Sequence, residues 1–310
     1  MAPRQKHVSL QSRRREDAKA RRQVRRPELQ LRHFVAFVLL LAASLALVAA
    51  EAPPKRIVSL VPAATEILFA IGAGPRVVAV SSYDHEPPEV EKLPRVGALL
   101  DPDLERILGL RPDLAVIYGT QHDLGQQLTR AGVPMFSYTH GGLADVTVAI
   151  RALGERTGTS ATANDVAGRI ERSLAATRTR VSGRPTPRVL LVFGREPGTL
   201  RNLYASGGIG FLHDMLEVAG GRNVFAGQKR ESVQATAEML LASAPDVVIE
   251  LHVDGGPPAD LSAWKALPAL PAVQNSRIIA LTGTDLVTAG PRVASATERL
   301  AMALHPEAFR

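Results

Sequence analysis

Two distant stretches of this chain carry the same short pattern: a helical run that closes on a Pro-Asp pair and leads straight into an apolar strand. It reads Leu108-Gly109-Leu110-Arg111-Pro112-Asp113-Leu114 in one place and Leu241-Ala242-Ser243-Ala244-Pro245-Asp246-Val247 in the other. The residue before a proline avoids right-handed helical geometry, so each helix must stop there. The repetition predicts two similar α/β lobes.

The segments around each copy agree. In the first half, short β-rich runs at 56–60, 77–80, 114–118 and 133–138 alternate with helical stretches at 65–71, 103–110 and 123–131. In the second half, strands are expected at 188–193, 247–251 and 277–281, with helices at 210–219, 237–244 and 294–304. Continuous apolar strands between helices indicate parallel βα units with both sheet faces covered. Residues 146–181 lack strand signals and read as helix apart from Gly158, with Val166, Ile170, Leu174 and Thr177 at helical spacing. A connection this long suits a stiff strut better than an ordinary crossover. The expected fold is therefore α/β, two Rossmann-like lobes joined by a long inter-lobe α-helix. The expected parts are a lobe at 55–142, a helical linker at 143–185 and a second lobe at 186–310.

Charge separates the N-terminus from all of this. The formal net charge is +7, yet residues 1–50 hold eleven Lys/Arg against three Asp/Glu, and residues 51–310 hold 26 against 27. The body carries no basic excess for nucleic acid. An Arg-rich stretch at 4–32 precedes the uncharged run 34–50, which ends with small residues at Val48 and Ala50. This reads as a basic leader and signal peptide at 1–50, cleaved after Ala50, or as an uncleaved N-terminal anchor. Either way the remainder is exported. The chain has no cysteine, which excludes disulfides, thiolate metal sites and a lipid anchor on cysteine.

Enzyme motifs are lacking. No G-x-G-x-x-G follows the first strand, and the Gly207-Gly208-Ile209-Gly210 run has neither the spacing nor the early position. There is no P-loop, no G-x-S-x-G elbow and no H-E-x-x-H. The rival readings are an α/β enzyme and a membrane-tethered sensor.

Several segments in order carry a resemblance. They are Arg56-Ile57-Val58-Ser59-Leu60-Val61-Pro62-Ala63-Ala64-Thr65-Glu66, then Ser81-Ser82-Tyr83-Asp84 with Pro87-Pro88. Pro94-Arg95-Val96-Gly97 and Asp103-Leu104-Glu105-Arg106-Ile107 follow. Later come Ala219-Gly220-Gly221-Arg222-Asn223-Val224-Phe225 and Pro291-Arg292. Over about residues 55–305 the chain resembles the helical-backbone periplasmic substrate-binding proteins of ABC importers for cobalamin, haem and ferric siderophores, most of all the cobalamin binders.

The resemblance implies a monomeric periplasmic protein that is not an enzyme and holds no covalently bound cofactor. It implies a metal-chelate ligand, cobalamin or another corrinoid, alternatively a ferric siderophore or haem. The partner it implies is an inner-membrane importer of permease and ATPase. Ligands of open α/β sheets bind beyond the strand carboxyl ends, which places Pro62, Ala63, Ala64, Tyr83, His85 and Tyr118 at the first lobe's rim. Arg195, Glu196, His252 and Arg292 belong to the second lobe's rim. Tyr118 matches a position where the family's cobalamin binders carry an aromatic. His85, His122, His140 and His252 are candidate ligands for cobalt or iron. By the same resemblance, Glu105 and Glu238 pair with arginines of the two importer subunits. Two features weigh against a corrinoid: aromatics are only 4% of the chain, and Ser232 stands where such proteins carry tryptophan. No tyrosine follows Val96-Gly97, which weighs against haem. Arg195, Lys229, Arg230 and Arg292 leave a siderophore pocket open, and Trp264 reads as a packing residue.

Overall fold

The computed structural model describes residues 52–139, 141–256 and 259–310. The leader and signal or anchor reading of 1–50, and the candidate ligand His140, lie outside the described residues.

Residues 53–310 form one contact unit holding both sheets. The first sheet begins with β1 (Ile57–Ser59), α1 (Pro62–Ala70), β2 (Val77–Val80) and α2 (Leu104–Gly109). It continues with β3 (Leu114–Tyr118), α3 (His122–Arg130) and β4 (Met135–Tyr138). All four strands are parallel in the order β2-β1-β3-β4, with Ile57 paired to Leu114 and Tyr118 to Tyr138. Helix α1 starts three residues before the expected Thr65. Pro62 occupies its first turn, where the missing N–H costs nothing and the fixed φ suits a helix.

Residues 143–181 are two helices rather than one rod, α4 (Leu143–Thr157) and α5 (Ser160–Val181). Gly158 separates them with φ +69, the left-handed conformation that glycine adopts freely. The chain reverses there. Arg151 on α4 pairs bidentately with Glu171 on α5 at 2.8 and 3.0 Å. Gly154 approaches Ala163 so closely that a β-carbon at 154 would stand 2.3 Å from the Ala163 methyl. The helices are therefore antiparallel and in direct contact; α4 packs on α1 of the first lobe, and α5 on the last helix of the second.

The second sheet follows with β5 (Arg188–Gly194), β6 (Leu203–Ser206), α6 (Phe211–Val218), β7 (Arg222–Asn223) and β8 (Ser232–Ala235). Then come α7 (Ala237–Ser243), β9 (Val247–His252), α8 (Pro271–Gln274), β10 (Ile278–Thr282) and α9 (Val293–Leu304). Its order is β10-β9-β5-β6-β8, with β7 also pairing β5. Strands β10, β9 and β5 are parallel, as expected, but β7, parallel to β5, and β6 and β8, with β6 antiparallel to both β5 and β8, were not foreseen. The second lobe is thus a variation on the first, not a copy.

Alternate strand residues enter different cores, as the two-residue period of a strand requires. Leu190 and Val192 pack outward with Trp264, while Val189 and Leu191 join an apolar cluster shared with Ile57, Leu114, Ile150, Ile170 and Leu300. That cluster runs without interruption from the first sheet through α4 and α5 to the second. The two lobes share one core along this side.

Candidate functional site

The repeated Pro-Asp pattern has a geometric basis. Arg111 and Ala244, each immediately before the proline, hold positive φ of 48 and 39. This closes the helix and turns the chain so that the following aspartate reaches the first strand of its lobe. Asp113 Oδ1 accepts from the Arg56 N–H at 2.7 Å, and Asp246 Oδ2 from the Arg188 N–H at 2.8 Å. Glu105 and Glu238 therefore sit alike, both exposed, in the first turns of α2 and α7. Each helix has a side-chain cap: Asp103 accepts from the Arg106 N–H and Thr236 from the Met239 N–H. The Glu238 carboxyl lies below its ordinary range, held there first by the Thr236 hydroxyl and then by backbone N–H.

At the carboxyl edge of the first sheet is a cavity of about 570 Å³ lined by Leu60, Pro62, Ser81, Tyr83, Ala98, Leu99, Leu100, Asp101 and Tyr118. Tyr83 is 72% exposed and Leu100 92%, an arrangement that leaves a large aromatic ring and an apolar side chain free to meet a ligand. Tyr118 is half-buried and meets Tyr138 edge-to-face, with ring centroids 6.3 Å apart. Burial raises the phenol pKa of Tyr118, and the Asp84 charge adds to the effect. Tyr138 in turn donates its hydroxyl to the Ala289 carbonyl at 2.9 Å, which ties the first lobe to the second.

Two further contacts join the lobes. Arg292 donates to both carboxylate oxygens of Glu66 on α1 at 2.9 and 2.8 Å. Asp214 on α6 accepts from the Leu143 N–H that opens α4, at 2.9 Å. Glu66 is buried, and that burial raises its pKa although Arg292 pulls the other way. Asp84, fully buried behind Tyr83, is raised for the same reason. Its Oδ2 accepts from the Ser81 N–H at 2.9 Å, whereas its Oδ1 has no hydrogen-bond partner among the described residues.

The second lobe offers a cavity of about 350 Å³ at the ends of β5 and β9, lined by residues that include Phe193, Pro197, Glu250, His252, Val253 and Val287. Its wall is organised by Glu250, which is 2% exposed inside the apolar strand β9. Oε1 receives Arg195 Nε and Trp264 Nε1, both at 2.6 Å; Oε2 receives Arg195 Nη2 and meets His252 Nε2, both at 3.1 Å. A smaller recess of about 210 Å³ adjoins, sharing Phe193 and Val287 and lined also by Ile209, Phe211 and Ser232.

The expected rim residues divide accordingly. Pro62, Tyr83 and Tyr118 line the first cavity and His252 the second. Ala63 and Ala64 do not line either. The early start of α1 turns them into the core, at 4% and 0% exposure. His85 stands on the surface beside Glu91 at 3.2 Å, and His122 lines a separate recess on the α3 side of Tyr118. Arg195 also lines the second cavity, where it braces the wall. All five of its N–H donors go to protein acceptors: the two Glu250 oxygens and the carbonyls of Glu196, Thr199 and Asp260. Glu196 holds its own turn through Asn202 Nδ2 at 2.7 Å. Arg292 serves the inter-lobe pair. Glu250 and Glu66 were missed. The signal for Glu250 was a lone acid in the run Val247-Val248-Ile249-Glu250-Leu251, since a charge in a buried strand needs a partner.

The chain is similar over most of its length to known binding proteins. The vitamin B12-binding protein of Salmonella paratyphi A is 31% identical over 251 residues, covering 80% of this chain and 90% of that protein. An uncharacterized ABC transporter substrate-binding lipoprotein of Bacillus subtilis is 28% identical, covering 83% and 82%. Among solved structures, the periplasmic heme-binding protein RhuT from Roseiflexus sp. RS-1 in apo form superposes with a TM-score of 0.71 at 28% identity, covering 82% of this chain and 99% of that one. These relatives are binding proteins rather than enzymes, and the family model described as periplasmic binding protein matches residues 57–284. With two α/β lobes, a helical connection and a cavity at the carboxyl edge of each sheet, the chain belongs to the periplasmic binding protein family.

Proposed function

We propose that this protein captures a metal chelate outside the cytoplasm and hands it to an ABC importer, and that the chelate is a corrinoid of the cobalamin type. The observation that carries the reading is the wall of the first cavity, where exposed Tyr83, Leu99 and Leu100 flank half-buried Tyr118. Such a wall suits the flat, largely apolar face of a macrocycle, and about 570 Å³ lies within the range of small-molecule sites. The 31% identity to a protein named for vitamin B12 binding supports the same choice.

Haem is the second reading. Tyr83 favours it, since a phenolate is an established ligand for ferric haem iron and this phenol stands free in the cavity. A ferric siderophore is third, because Arg195 and Arg292, two of the four basic residues it would draw on, are already neutralised by Glu250 and Glu66.

Delivery would use Glu105 and Glu238, placed alike on the two lobes and each free to meet an arginine of the importer. The shared core favours slight closure around the ligand and a largely preformed cleft. Equilibrium dialysis of the full chain against cobalamin, cobinamide, haem and a ferric siderophore tests the ligand. Saturable retention of corrinoids above the others is expected, and retention of none of the four overturns the proposal.

A further inference from the structure

We propose that His252 coordinates the metal of the bound chelate through Nδ1, on the side facing the second lobe. The inference rests on the reading that the ligand is a metal chelate, and it narrows which chelates fit.

The argument begins with Glu250. Its carboxylate is enclosed, balanced by Arg195 and already accepting three N–H donors, two at Oε1 and one at Oε2. Such a carboxylate has no hydrogen to give. The 3.1 Å contact with His252 Nε2 is favourable only if the imidazole donates there, so the proton resides on Nε2. In the neutral ring Nδ1 is then left with a lone pair. Among the described residues nothing hydrogen-bonds to Nδ1, and the 27% exposed ring lines the 350 Å³ cavity.

A carboxylate that receives one ring N–H while the other nitrogen stays free is the arrangement that orients histidine for metals. It fixes the tautomer and makes the free nitrogen a better donor. Here the carboxylate is itself locked by Arg195 and Trp264, so the ring is held in place before any ligand arrives.

The bond is a ligand exchange. The Nδ1 lone pair attaches to the metal, the water on that axial position leaves, and neither oxidation state nor proton count changes. The metal must therefore present an exchangeable axial position. Cobalt(III) or iron(III) in a planar tetradentate macrocycle does so. Iron wrapped by six siderophore donors does not.

The test uses the full chain and aquocobinamide, followed both by dialysis and by visible absorption. Wild type is expected to retain the corrinoid and shift its bands to those of an imidazole adduct. His252→Gln keeps an N–H for Glu250 but has no imidazole; it should bind roughly tenfold or more weakly and leave the bands of the aquo form. Dicyanocobinamide, with both axial positions blocked, should bind wild type and His252→Gln alike. Retention by wild type with unshifted bands, or an equal shift with His252→Gln, overturns the assignment and leaves the corrinoid reading standing. Failure of wild type to retain either corrinoid overturns the corrinoid reading itself; haemin is then titrated in the same way, and an iron spectrum that is unchanged in His252→Gln overturns His252 as a ligand.

Discussion

Arg292, in the loop before α9, grips Glu66 of α1 through two parallel hydrogen bonds of 2.9 and 2.8 Å, although 226 residues separate them in the chain. Planar fork-to-fork geometry fixes direction as well as distance. With Tyr138 on Ala289 and Asp214 on Leu143, this pair sets how the lobes face one another.

Removing the cation alone should be costly because it strands a buried carboxylate. Arg292→Met is expected to lower unfolding free energy by about 2 kcal/mol, a value at the low end because Arg292 is partly exposed. The double variant Glu66→Gln with Arg292→Met leaves no orphan charge and should cost less than Arg292→Met alone. Urea denaturation of both variants checks the order.

Trp264 is fully buried and supplies one of the two hydrogen bonds to Glu250 Oε1, at 2.6 Å. Trp264→Phe keeps most of the apolar area but leaves that oxygen short of a donor. A loss of about 1–3 kcal/mol is expected. Because Glu250 also orients His252, chelate affinity should fall as well, and parallel unfolding and dialysis measurements read both effects.

Asp84 gives a pH dependence with a definite sign. Burial raises its folded pKa above the ordinary 3.8. The folded state then holds a proton that the unfolded chain has lost. Its stabilising contribution is complete below the unfolded value and is lost as pH rises through the folded pKa. Asp84→Asn removes this titration. The stability difference between wild type and Asp84→Asn should therefore move in favour of wild type as pH falls from 7 towards 4, measured by denaturation at each pH.

Charge reversal at Glu105 and Glu238 separates delivery from capture. Both side chains are exposed and neither lines a cavity of either lobe described above. The double change to Lys should abolish importer-dependent uptake of labelled chelate and leave dialysis affinity unchanged. Surviving uptake would remove the docking role from these glutamates.

Much of the frame could be read from the chain. The Pro-Asp pattern located α2, β3, α7 and β9 because the residue before a proline leaves the helix, and an apolar run directly after the aspartate marks the strand. Strands β6 and β8 escaped because Leu-Tyr-Ala-Ser and Ser-Val-Gln-Ala are short and mixed, and they owe their form to pairing with one another. The site was less legible than the frame. Arg195 and Arg292 read as free cations because Glu250 and Glu66 lie 55 and 226 residues away, and single-sequence patterns do not reveal such pairings. Tyr83, which follows a strand, and Tyr118, which ends one, were found, whereas Leu99 and Leu100 were not singled out within their loop.

The uninterrupted core through α4 and α5 bears on traffic at the membrane. A molecule that barely changes outline on loading offers its docking face in much the same form whether full or empty. Idle copies would then compete with cargo-bearing ones for each importer, and inflow at scarce ligand would depend on the loaded fraction rather than on total abundance. Overproducing this protein when its ligand is rare would slow acquisition instead of hastening it.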